Sequence, residues 1–176
     1  MNTRSCLNRA ALVAAGAALI LTTAFVSAHD QQQGNVSPLR ANAGLTVVAT
    51  PASDPSVLKA KATGPVQTSL LGNCIENADI EAHFPTNPAD PVAINGAVTL
   101  TSLDGATSLN LTVSGAATPD LANPYFYNAK YRVTITGGTG TYASARGSAE
   151  LSELIMFTSP LTATVTWTMK GFVITP

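Results

Sequence analysis

Four aromatic rings and one guanidinium fall on two long strand-like segments: Tyr125, Tyr127, Tyr131 and Arg132 on one, Trp167 on the other. Aromatic walls with polar tips are how a small-molecule pocket is lined, because the ring supplies apolar area while the tip fixes orientation. These five are the candidate ligand-lining residues. The same rings could simply fill a barrel, since eight strands enclose an interior just wide enough for side chains. Packing is therefore the first expectation and a ligand cavity the alternative.

Asp79, Glu81 and His83 recur at every second position, so on a strand they point the same way. Two carboxylates and an imidazole are a plausible donor set for a metal, but side chains two residues apart on a strand stand roughly 7 Å from each other. A solvated face opposite Ala78, Ile80, Ala82 and Phe84 is the expectation, with no metal and no cofactor. A nucleophilic triad lacks its parts: the two histidines are His29 and His83, and neither lies near an elbow motif.

The stretch from Thr136 to Gly147 reads Thr-Gly-Gly-Thr-Gly-Thr-Tyr-Ala-Ser-Ala-Arg-Gly. Its Gly138, Gly140 and Ala143 formally match a dinucleotide-binding fingerprint, whose glycines bring a pyrophosphate to a helix N-terminus. That fingerprint needs a helix of about a dozen residues next, whereas here alternation resumes at Ser148 after room for one helical turn. The better reading is structural. Gly137, Gly138 and Gly140 supply backbone conformations closed to other residues, Tyr142 and Ala145 tuck one turn under the sheet, and Gly147 restarts the next strand.

The elements that must carry these residues read as short strands throughout. Alternating or β-branched runs fall at 45–50, 57–63, 68–71, 75–84, 92–101, 107–113, 125–136, 148–157 and 161–174, with turn residues between them. Asp104-Gly105 predicts a tight hairpin turn with positive φ at both residues, and Gly96 predicts a bulge or a close backbone approach. About eight strands and no amphipathic helix make the fold all-β: an eight-stranded antiparallel β-barrel, with a lipocalin-like barrel or a sandwich as alternatives.

A strand followed by Gly-Gly-Thr-Gly, an aromatic two residues on, and then Ala-Arg-Gly resembles the signature of the superfamily of allene oxide cyclases and dirigent proteins. It also resembles a turn of small exported bacterial domains of unassigned activity. The resemblance implies an eight-stranded antiparallel barrel that binds small hydrophobic or phenolic compounds and, in some members, steers cyclisation or radical coupling. It implies no catalytic residue in this chain, because the shared positions Gly137, Gly138, Gly140, Tyr142, Ala145 and Gly147 build a turn.

Residues 1–28 read as an export signal, with Arg4 and Arg9 before an apolar run and Val26-Ser27-Ala28 as the cleavage pattern. Residues 29–43 read as a flexible leader and 44–176 as one barrel domain. Losing Arg4 and Arg9 from the formal charge of −1 leaves about −3, and no basic run is present, so nucleic acid is not an expected partner. Cys74 alone follows the signal and is expected to be a buried thiol. The protein is thus expected to be secreted or periplasmic, off the membrane once cleaved, and a monomer or weak homo-oligomer. Three functions stay open: a binder of a small hydrophobic or phenolic molecule, a cyclase or coupling-steering enzyme, and a structural envelope or matrix protein.

Overall fold

The computed structural model describes residues 34–176; the expected signal and its cleavage site after Ala28 lie outside the described residues. Eight strands run in chain order: β1 (Asn35–Pro51), β2 (Val57–Thr68), β3 (Gly72–His83), β4 (Val92–Ser102), β5 (Ser108–Asp120), β6 (Asn123–Thr139), β7 (Arg146–Ser159) and β8 (Thr162–Thr175). Each pairs antiparallel with its sequence neighbour, and β1 pairs with β8 to close the barrel. Closure satisfies every strand edge. It also gives every strand the alternation of buried and exposed residues that the sequence displays.

Three expectations need correction at the ends of elements. The leader assigned to 29–43 is strand from Asn35 onward: Asn35–Ala43 pairs with β8 from Thr175 to Trp167, and Leu39, Ala41 and Ala43 face the core. Alanine is a poor strand signal, yet it is a good inward residue where a barrel wall has little room. The run 68–71 is the β2–β3 turn, in which Leu71 N–H donates to the Thr68 hydroxyl at 2.8 Å and Gly72 takes φ 65°. At Asp104-Gly105 only the glycine has positive φ. The Asp104 carboxylate instead accepts from the Ser102 hydroxyl at 2.6 Å and from Ala106 N–H at 3.0 Å, building a wider loop.

Gly96 is a close-approach point and not a bulge. The β3–β4 and β4–β5 registers pass through it unbroken, and an added Cβ would overlap Ile80. A bulge does lie in β6, where Thr136 is left between the pairs Leu111 with Ile135 and Asn110 with Gly137.

The glycine stretch closes one end of the barrel. After the bulge, β6 runs on through Gly137 and Gly138, and Gly140–Tyr142 form a single 3₁₀ turn with Gly140 at φ 59°. Ala145 is buried at 1% exposure, and the Tyr142 hydroxyl donates to the Leu70 carbonyl at 3.5 Å. No helix follows; β7 begins at Arg146. Above this turn Leu39, Leu100, Leu109, Val133, Met169 and Val173 are fully buried and fill the lumen. The loops at 52–56, 84–91, 121–122 and 160–161 ring the opposite end.

Candidate functional site

The half of the barrel away from the glycine turn is not filled by side chains. It contains a cavity of about 140 Å³, which overturns the expectation that the rings simply pack the interior. Small inward residues leave the room: Ala49 on β1, Ala60 and Ala62 on β2, Ala78 and Ala82 on β3, and Ala163 on β8. Near the mouth the Tyr127 and Phe157 rings meet edge to face, with centroids 5.6 Å apart.

The floor is polar. Tyr131 (β6), Trp167 (β8), Glu76 (β3) and Glu153 (β7) all face the cavity. Each is placed there by strand parity: Glu76 continues the inward series of Cys74, Ala78 and Ile80, and Glu153 the series of Leu151 and Ile155. Glu153 and Trp167 are direct cross-strand partners. The β3 and β7 strands stand on opposite sides of the closed ring, so the two carboxyl groups approach each other across the lumen.

Of the five residues expected to line a pocket, Tyr131 and Trp167 do so at the floor and Tyr127 near the mouth. Tyr125 does not: it shares the parity of Tyr127 but lies beyond the rim and is 64% exposed. Arg132 does not either. Standing between the inward Tyr131 and Val133, it points outward, between Ser114 on β5 and Glu150 on β7. Asp79 and Glu81 lie on the outer face, where Lys61 and Lys59 of β2 pair with them at 3.1 and 3.2 Å. His83 Nε2 stands 3.8 Å from Glu81.

Glu76 and Glu153 were absent from the sequence-based set, and they carry the chemistry of the site. Burial raises the Glu76 carboxyl to about 7, the Glu153 charge across the lumen pushes the same way, and hydrogen bonding by Trp167 opposes both. Its Oε2 has no hydrogen-bond partner. The Glu153 carboxyl is also raised by burial, which a hydrogen bond from the Tyr131 hydroxyl opposes at 2.5 Å. Burial first, and then Glu153, hold the Tyr131 phenol firmly protonated, so it acts as a donor. Cys74, just below Glu76, is buried and bonds to the Val66 carbonyl at 3.5 Å; burial raises its thiol, which is therefore unreactive.

The Tyr131 hydroxyl thus has one assignable task, to satisfy Glu153. Tyr131→Phe is expected to cost about 1–2 kcal/mol in urea unfolding at neutral pH, the toll of leaving a buried acceptor unpaired. An unchanged unfolding midpoint would show that Glu153 does not depend on the phenol.

No family model and no curated protein matches the chain. Among solved structures it is similar to the pterocarpan synthase dirigent protein GePTS1, at 14% identity and a TM-score of 0.40, over 80% of this chain and 89% of that one. The closed, eight-stranded antiparallel barrel implied by the resemblance of the glycine turn is the fold this chain has.

Proposed function

We propose that this protein is an exported small-molecule-binding barrel, taking a compact, mainly apolar molecule end-on with its polar group at the floor. The observation that carries this reading is the unpartnered Glu76 Oε2, buried on the polar floor of a cavity whose walls are apolar. A buried polar atom without a partner is costly in a finished core and useful in a binding site, where the occupant supplies the missing bond. Size sets the class of occupant. A cavity of roughly 150 Å³ holds a molecule the size of benzene, so one ring or a short chain fits, whereas a multi-ring compound would have to extend through the mouth.

Filling the cavity tests this directly. Ala78 sits between Ala62 and Val98 on the cavity wall. Ala78→Leu is expected to weaken binding of benzyl alcohol, followed by ligand-observed NMR, by about tenfold or more, while leaving the melting temperature level or higher because apolar volume enters a void. Equal binding in the two proteins would place the ligand elsewhere. A second reading, a cyclisation- or coupling-steering enzyme, draws on a cavity floor that holds both a carboxyl raised to about 7, Glu76, and a firmly protonated phenol, Tyr131. Turnover of a bound compound, lost in Glu76→Gln while binding persists, would favour it. Secretion with cleavage after Ala28 belongs to the proposal, and N-terminal sequencing of the protein from its own host tests it.

A further inference from the structure

The cavity holds two carboxyl groups and no Lys, Arg or His. Every described lysine and arginine is exposed instead. The Tyr131 hydroxyl is already committed to Glu153, and Glu76 Oε2 stays without a donor at 5% residue exposure. Buried carboxylates in native proteins are normally paired, and here neither has a cationic partner among the described residues.

We infer that the occupant of this barrel is a small hydrophobic amine, its ammonium group seated between Glu76 and Glu153 and its apolar body against the alanine wall. The inference rests on the binding reading above and narrows it. An ammonium group has three donors, enough to meet Glu76 Oε2 and the Glu153 carboxylate together, and it removes the repulsion between two acids that face each other across the lumen. An alcohol would meet one acceptor and leave that repulsion. A carboxylate ligand would add a third negative charge. The Trp167 ring at the floor adds an aromatic surface suited to a cation.

Protonation sets the pH at which this holds. The titratable and charged groups facing Glu76 are Glu153 from β7, Tyr131 from β6 and Cys74 on its own strand, while β8 presents the Trp167 N–H and β4 the apolar Leu100. Tyr131 and Cys74 stay protonated, so the two glutamates govern the response. Above about 7 Glu76 carries the charge an ammonium needs, and well below it Glu76 holds a proton that the amine must displace; Glu153, also raised by burial, responds in the same direction.

The test is isothermal titration calorimetry of the barrel protein with benzylamine, benzyl alcohol and benzoate. At about pH 8.5 benzylamine is expected to bind roughly 30-fold more tightly than benzyl alcohol, with benzoate weakest. At about pH 5.5 the amine's affinity is expected to fall by about tenfold or more, with proton release on binding revealed by buffers of different ionisation heat. In Glu76→Gln the amine-to-alcohol ratio is expected to collapse toward one; if that variant does not fold, the ratio in the unaltered protein decides. Benzyl alcohol binding as tightly as benzylamine, or benzoate binding best, overturns the amine assignment and leaves the binding reading standing. Failure of all three to bind overturns both.

Discussion

Glu76→Gln is expected to raise the melting temperature at pH 8 by about 10 °C while changing it little at pH 5. The cause is linkage between protonation and folding. An unfolded glutamate titrates near 4.5, and the folded barrel raises Glu76 to about 7, so the unfolded chain gives up this proton first as pH rises. Below 4.5 the group is neutral in both states and has no effect. Between 4.5 and 7 the penalty grows, and above 7 it levels off at roughly 3 kcal/mol, from about 1.4 kcal/mol per unit of displacement. Glutamine keeps the shape and cannot ionise, so it removes the penalty where the penalty exists. Glu153, raised by the same burial, acts with the same sign. Asp54 and Asp104, held low by hydrogen bonds from Ser56 and Ser102, act with the opposite sign but only at more acid pH. The unaltered protein should therefore melt higher at pH 5 than at pH 8. A variant that melts at or below the unaltered protein at pH 8 would mean that Glu76 is solvated or paired, and the cavity floor would lose its charge problem. Glu81→Gln, whose partner Lys59 is exposed, should move the melting point far less.

A higher melting point of Glu76→Gln at pH 8 would join the unpartnered Oε2 as an argument that Glu76 serves something other than folding. Glutamine, leucine or alanine would each fit an inward position more cheaply. Stability given up at a buried polar site is what a binding site does before its ligand arrives, and the amine assignment supplies the compensating charge. The prediction on stability and the one on ligand preference thus read the same carboxyl by independent measurements.

The strands themselves were legible because the alternation of apolar and polar residues survives along β3 to β8, while closure into a barrel and not a sandwich was legible only through the resemblance of the glycine turn. The floor of the cavity was not. Alternation treats a glutamate inside an apolar series as noise, yet the series through Cys74, Ala78 and Ile80 puts Glu76 inward with no further information, and that through Leu151 and Ile155 does the same for Glu153. What sequence could not show is that these strands stand opposite each other, which depends on closure of the ring. Arg132 could have been excluded by parity alone, since it separates two inward residues. Tyr125 could not, because its parity is correct and only the length of the barrel leaves it outside. The open half was hidden for a different reason: an inward alanine packs well in a narrow barrel and leaves a void in a wide one, and the sequence does not reveal the width.

The second large effect is expected at the closed end, where Gly138→Ala should cost roughly 3 kcal/mol or more, well beyond the usual effect of a single added methyl. The position is regular strand by its φ, so the cost is contact and not backbone strain: an added Cβ would overlap the Ser108 carbonyl oxygen and stand 3.2 Å from the Leu109 Cα. Both obstacles are backbone of the neighbouring strand, directly after the bulge at Thr136, and the ladder would have to open for the methyl to enter. Gly140 poses a different problem. Its Cβ would lie 3.1 Å from the Thr107 hydroxyl and 3.2 Å from the Ala106 carbonyl oxygen, tight but without the overlap found at Gly138, and its φ of 59° is disfavoured for any L side chain, so Gly140→Ala should cost about 1–2 kcal/mol. Gly44→Ala, with nothing within 4 Å of the added carbon, should be close to neutral. Thermal melts of the three variants at one pH would therefore fall in a fixed order, with Gly138→Ala lowest by about 10 °C or more. Because the turn lies at the far end of the barrel from the mouth, benzyl alcohol binding by the folded fraction at low temperature should persist in Gly138→Ala and Gly140→Ala. If Gly138→Ala melts no lower than Gly140→Ala, the strands at the bulge are looser than the tight backbone approach requires, and the glycine turn would owe its form to conformational freedom alone.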